Sequence, residues 1–198
     1  MAEKWYYIRK NVSEITAPSV EPVALSEAKA FLRIDNSDQD TLVSELIKTA
    51  RQRVENDTGQ SLVNTTWDVW FDTFPTERSI TVPRLPLVSV THVKSYDDDD
   101  AESTFASSKY LVDTVQGRVA LNDSEDWPDD LRQFNAGVMQ FVAGHGTAGS
   151  DVPSPLRLAV YQLLTHWFEH ADPVTSTDAV SRAYAGHIAA YRNAAGIA

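Results

Sequence analysis

The hydrophobic period of this chain changes twice, and that change limits its fold more than any single motif does. Between Asp40 and Gly59 the apolar residues Leu42, Val43, Leu46, Ile47, Ala50 and Val54 recur at spacings of three and four. This is the mark of an amphipathic helix, and Gly59 supplies its stop. From Asn64 to Gly146 the period falls to two, with Trp67, Val69 and Phe71 alternating with Thr66, Asp68, Trp70 and Asp72, as in strands with one buried face. After Gly146 helical spacing returns in Leu156, Ala159, Val160, Leu163, Leu164 and Trp167, with Pro153 and Pro155 at the start. A chain that reads helix, strands, helix implies an α+β fold: an antiparallel helical core of about four helices with an inserted antiparallel β module.

The remaining elements fit around this frame. Pro22 to Lys29 opens a short helix capped by Ser26, with Ala28, Phe31 and Leu32 on its apolar face and its end near Asp35. Four to six strands are expected among 65–72, 79–82, 87–96, 109–113, 117–121 and 136–143, with Pro75, Pro83, Pro86 and Pro128 in the joints. Pro173 ends the third helix, and a fourth starts at Ser176 or Thr177 with Val180, Tyr184, Ile188 and Tyr191 on one stripe. The expected organisation is an arm over 1–21, a helical part over 22–63, a β-rich module over 64–146 and C-terminal helices over 147–198. Residues 22–198 then form one domain.

Composition removes several classes of function. There is no Cys among the 198 residues, so disulfides, thiolate metal sites and Cys nucleophiles are excluded. No apolar run approaches the roughly 18 residues of a membrane helix. The first ten residues lack the apolar core of a signal peptide, which points to a product made in the cytoplasm with no membrane partner. The net charge of −11 opposes nonspecific binding of nucleic acid, which needs clustered cations. An acidic wall does suit a channel through which DNA slides without sticking.

The acidic runs Asp97–Asp100 with Glu102, and Asp123, Glu125, Asp126, Asp129 and Asp130 around Trp127, read as solvated loops. The first lacks the alternating ligands, central Gly and terminal Glu of a calcium loop. The polar side of the 40–58 helix, with Glu45, Lys48, Arg51, Arg53 and Glu55, likewise reads as solvated surface. His166-Trp167-Phe168-Glu169-His170 matches the H-x-x-E-H pattern of inverted zinc peptidases, in which two His on one helical face hold the metal and the Glu activates its water. A third ligand is needed downstream, where only 28 residues follow, with Asp172, Asp178 and His187 but no Glu. The expectation is therefore packing, with His166 half-buried and Glu169 and His170 in solvent. Gly144-His145-Gly146 reads as a turn at a strand end. Phosphate loops, dinucleotide fingerprints and nucleophile elbows are absent from the sequence.

The order of these pieces is specific. The stretch from Pro22 through Ala24-Leu25-Ser26-Glu27-Ala28 to Arg33 resembles the opening of the tailed-phage head-tail connector, or adaptor, proteins. The likeness continues through Asp40-Thr41-Leu42 to Gly59, Pro83-Arg84-Leu85-Pro86-Leu87-Val88-Ser89-Val90, Tyr110 to Asp113 and Gly117-Arg118-Val119. It ends with Ala143 to Gly146, Val152-Pro153 and Leu164 to Glu169, so that it spans about residues 22 to 170. Two departures are His170-Ala171, where the family often has Asn-Arg, and His145, where it has Tyr; neither removes a catalytic group.

The resemblance implies a structural subunit with no active site, no metal and no cofactor. It would assemble with copies of itself into a ring of twelve between the portal protein and a tail-side stopper or tail completion protein. DNA would pass through the lumen without specific binding. The place implied is the head-tail interface of a virion, assembled in the host cytoplasm. Tyr184, Ile188, Tyr191 and Arg192 of the C-terminal helix are the expected portal-docking residues, since a terminal amphipathic helix fits a neighbour's groove. The alternatives are a small zinc-dependent hydrolase using His166, Glu169 and His170, and a free-standing protein-binding module.

Overall fold

The computed structural model describes residues 12–169 and 178–192. The chain divides into two compact units, one built from residues 18–63 with 145–197 and one from residues 1–17 with 64–144. Their described parts have the α+β composition that the change of period implies.

The first unit is helical. Among its described residues the helices are α1 (Leu25–Leu32), α2 (Asp40–Thr58), α3 (Ser154–Glu169) and α4 (Asp178–Ile188). They enclose one core of Val23, Ala28, Val43, Ile47, Ala50, Val54, Leu156, Val160, Leu164 and Ile188, each at most 2% exposed. The apolar periodicity of α2 and α3 thus maps onto the face they bury, except at Leu42, which is 51% exposed. Gly59 ends α2 in the left-handed region at φ 70°, its N–H bonded to the Glu55 carbonyl, as its lack of a Cβ permits.

The ends of α1 differ from expectation. Ser26 lies in the first turn and does not cap it; Glu27 Oε2 instead accepts the Ala24 N–H at 2.9 Å. The helix stops at Leu32, earlier than Asp35, because Arg33 turns left-handed at φ 58°. The Arg33 and Ile34 N–H groups then bond back to Ala30 and Lys29. No Gly marks this stop, so the sequence carries no signal for it.

The second unit is built of strands among its described residues, apart from one 3-10 turn at Ser107–Lys109. One sheet runs β1-β2-β8-β4-β5, and a smaller one runs β3-β7-β6, every pairing antiparallel. The strands are β1 (Val12–Thr16), β2 (Thr65–Phe71), β3 (Ser79–Thr81), β4 (Leu87–Tyr96), β5 (Glu102–Phe105), β6 (Tyr110–Asp113), β7 (Arg118–Leu121) and β8 (Gly137–Ala143). Trp67, Val69 and Phe71 of β2, Met139 and Phe141 of β8, Ile80 of β3 and Val119 of β7 share one core. The alternating residues of β2 are the half-exposed Thr66, Asp68 and Trp70, as the period of two requires.

Six of these strands lie where alternation places them, and two were not legible. β1 falls within the stretch read as an arm, which is corrected: Val12 to Thr16 form an edge strand paired with β2. Four of its five residues are exposed, so no alternation betrays it. β5, the opposite edge, is exposed at Glu102, Ser103 and Thr104 for the same reason.

Candidate functional site

The zinc pattern does not assemble among the described residues. His166 is half-buried on α3 and Glu169 is exposed at its end, while His170 lies outside the described residues. Among the described residues no three His, Cys, Asp or Glu side chains stand close enough to hold a metal ion. The last turn of α3 instead contributes Trp167 and Phe168 to the margin of the helical core.

The stripe expected to dock on a portal is largely covered within the subunit. Tyr184 and Ile188 are 7% and 0% exposed and belong to the subunit's own core. Tyr184 donates its hydroxyl to Asp57 Oδ2 at 2.8 Å, and burial followed by that carboxylate pushes the phenol pKa up. Asp57 also accepts from Arg53 Nε at 2.8 Å. The Tyr191 carbonyl accepts from Gln60 Nε2 at 2.7 Å. Of the four residues, Arg192 alone is exposed. Periodicity located the stripe but did not reveal that α3, with α2, covers it.

His145, read as part of a turn, has a definite role. Its Nε2 lies 2.8 Å from Gln60 Oε1. Because the Gln60 amide nitrogen is committed to Tyr191, its oxygen must accept, so His145 carries its proton on Nε2. Burial pushes the imidazole pKa down. The chain after β8 is thereby tied through Gln60 to the chain after α4.

The polar face of α2 is a further correction. Arg51 and Glu55 were read as solvated, yet they are 3% and 2% exposed. Arg51 Nε donates to Glu21 Oε2 at 2.9 Å and its Nη1 to Glu55 Oε2 at 2.8 Å. Glu55 Oε1 accepts the Leu62 N–H at 2.9 Å. A spacing of four between opposite charges looks the same in sequence whether the pair is wet or dry.

In the β unit the acidic runs are surface turns. Asp97 Oδ1 accepts the N–H groups of Asp99 and Ala101, closing the β4–β5 turn on itself. The second run is held from beneath: Trp127 stacks on Phe74 with centroids 5.3 Å apart and donates Nε1–H to the Glu77 carbonyl. Residues 64–144 hold fourteen Asp and Glu against six Lys and Arg, a net charge of −8. The most exposed large apolar residues of this unit are Val115 at 87% and Leu111 and Phe134 at 65%. Among the described residues this surface is acidic and carries scattered exposed apolar side chains.

Solved structures with the same fold include the neck of an empty gene transfer agent particle computed with C6 symmetry, 19% identical, with a TM-score of 0.76 over 92% of this chain and 95% of that one. The virion of a native gene transfer agent particle gives 18% identity and a TM-score of 0.76, over 92% of this chain and 95% of that one. The neck of a native particle computed with C12 symmetry gives 19% and 0.72, over 92% and 94%. No curated protein matches the chain. Neither the zinc hydrolase nor the free-standing module gains support. Residues 22–135 match the family model described as phage gp6-like head-tail connector protein, and this chain belongs to that family.

Proposed function

We propose that the protein is a subunit of a homo-oligomeric ring, a dodecamer, that joins the portal of a tailed phage or phage-like particle to its tail-side stopper and lines the path of the DNA. The observation that carries this reading is a fold shared over nine-tenths of the chain with structures of particle necks computed with six- and twelvefold symmetry. Its place would be the virion neck, reached after assembly in the host cytoplasm, and its work mechanical, without catalysis.

The charge distribution supports the same reading. A ring of acidic subunits repels phosphate, so DNA slides past instead of adhering. The turns at Asp97–Asp100 and Asp123–Asp130 would face the lumen or the exterior, away from contacts between copies. The C-terminal helix remains our candidate for the portal contact. Tyr184, Ile188 and Tyr191 would fix its pose from within, and Arg192 with the outer side of α4 would meet the portal.

Mass photometry of the purified protein, alone and mixed with its portal, tests the reading. A ring-sized species, or a complex with about one subunit per portal subunit, is expected. A monomer that ignores the portal overturns it.

A further inference from the structure

Phe134 is held outward by a clamp that has no evident use within the subunit. Its side chain is 65% exposed. The carbonyls of Phe134 and Asn135 both accept from Arg132, at 2.9 Å from Nε and 2.7 Å from Nη2. Asn135 sits in the left-handed region at φ 49°, which Asn enters more readily than other residues with a Cβ. Its N–H is captured by Asp72 Oδ1 at 2.9 Å. The Arg132 N–H donates to the Tyr96 carbonyl and the Tyr96 N–H to that of Ala136, which bolts both ends of the loop to the end of β4.

A flat stack continues from the clamp. The Arg132 guanidinium lies 4.4 Å from the Tyr96 ring centroid, and Tyr96 stacks on Trp70 at 6.0 Å. Trp70, Arg132 and Asn135 line a depression of about 220 Å3. Carboxylates adjoin it: Asp100 pairs with Arg132 at 2.9 Å, Glu102 accepts the Tyr96 hydroxyl at 2.9 Å and pairs with Lys94 at 2.7 Å, and Asp72 holds Asn135. Trp, Tyr and Arg are the residues that dominate binding energy at protein interfaces, and they do so when pre-ordered.

The charge decides the occupant. An acidic rim within a segment, residues 64–144, of net charge −8 repels phosphate, so a nucleic acid strand is disfavoured even though an aromatic and guanidinium stack would otherwise receive bases. A second copy offers few free cations among the described residues. Lys29, Lys48, Arg51, Arg53, Lys94, Lys109, Arg118 and Arg157 are already paired with carboxylates of their own subunit.

We propose that Phe134 and the Trp70, Tyr96 and Arg132 stack form the docking centre for a basic segment of a different neck protein. An apolar side chain of that partner enters the depression, and its Lys or Arg residues meet Asp72, Asp100 and Glu102. This rests on the connector reading and adds the surface and the chemistry of the partner.

The test measures binding of the full chain to purified portal protein and, separately, to the purified tail-side neck protein of the same particle. Phe134→Ser is expected to weaken binding to one of them by about tenfold or more, with self-assembly and melting temperature unchanged. Reversing the exposed Asp98 and Asp99 to Lys should slow association with the same protein and flatten its salt dependence. The proposal is overturned if Phe134→Ser binds both proteins as the wild type does. It is equally overturned if the variant instead loses its ring, which would assign Phe134 to the contact between copies. A wild-type chain that binds neither protein overturns the connector reading itself, and this inference with it.

Discussion

Arg51 donates to Glu55 across 2.8 Å inside the helical unit, with the two side chains 4% and 3% exposed. Removing one member leaves the other charged and dry, so Arg51→Ala is expected to cost about 3–5 kcal/mol. Replacing both with neutral groups while keeping an acceptor for the Leu62 N–H is milder. Arg51→Met with Glu55→Gln should therefore be more stable than Arg51→Ala alone. Urea unfolding of the three proteins checks the order.

The packing of α4 gives a second pair of expectations. Tyr184→Phe removes the bond to Asp57 and should cost about 1 kcal/mol. Ile188→Ala opens a fully buried site and should cost about 2–5 kcal/mol. If either variant keeps its unfolding midpoint but fails to bind portal, the side chain serves the partner and not the core.

The depressed pKa of His145 fixes the sign of a pH dependence. The folded state resists protonation while the unfolded chain accepts a proton near the ordinary imidazole value of 6.5. Below that value the unfolded state binds more protons, so stability falls as pH drops from 6.5 toward the folded pKa. Above 6.5 this group contributes no slope. His145→Gln should flatten the difference between unfolding midpoints measured at about pH 5.5 and 7.5.

Gly117 ends the β6–β7 turn at φ 63°, and a Cβ there would collide with the Leu85 side chain. Gly117→Ala is expected to destabilise by about 1–3 kcal/mol, from the backbone conformation alone. A thermal melt of the variant is sufficient.

Metal analysis of protein purified without chelators bears on the H-x-x-E-H match. No stoichiometric zinc is expected, and His166→Ala or His170→Ala should leave the metal content where it was. Stoichiometric zinc lost on either change would restore the hydrolase reading.

The elements legible in the sequence are those whose burial is one-sided. α2, α3, β2 and β8 each set a buried row against a wetter one, and a period records that contrast. The edge strands β1 and β5 have no such contrast, since nearly all their side chains meet water. Arg51 and Glu55 were missed for the opposite reason: both are covered, and a charge carries no mark of its cover. Tyr184 and Ile188 lie on the stripe expected, but a stripe says that a face is buried and not by whom. Phe134 gave no signal at all, because its display depends on Arg132, Asp72 and the backbone of Asn135, which act together only in three dimensions.

The helical unit is assembled from two stretches separated by the whole run of residues 64–144. On the ribosome, β8 completes its sheet while α3 and α4 have yet to be made, so α1 and α2 wait with Val43, Ile47 and Val54 uncovered. A nascent chain cut short after residue 144 would hold a finished β unit and half a bundle. Synthesis of α3 and α4 is then the event that makes the helical unit whole, and fragments that lack them are barred from any assembly that needs it.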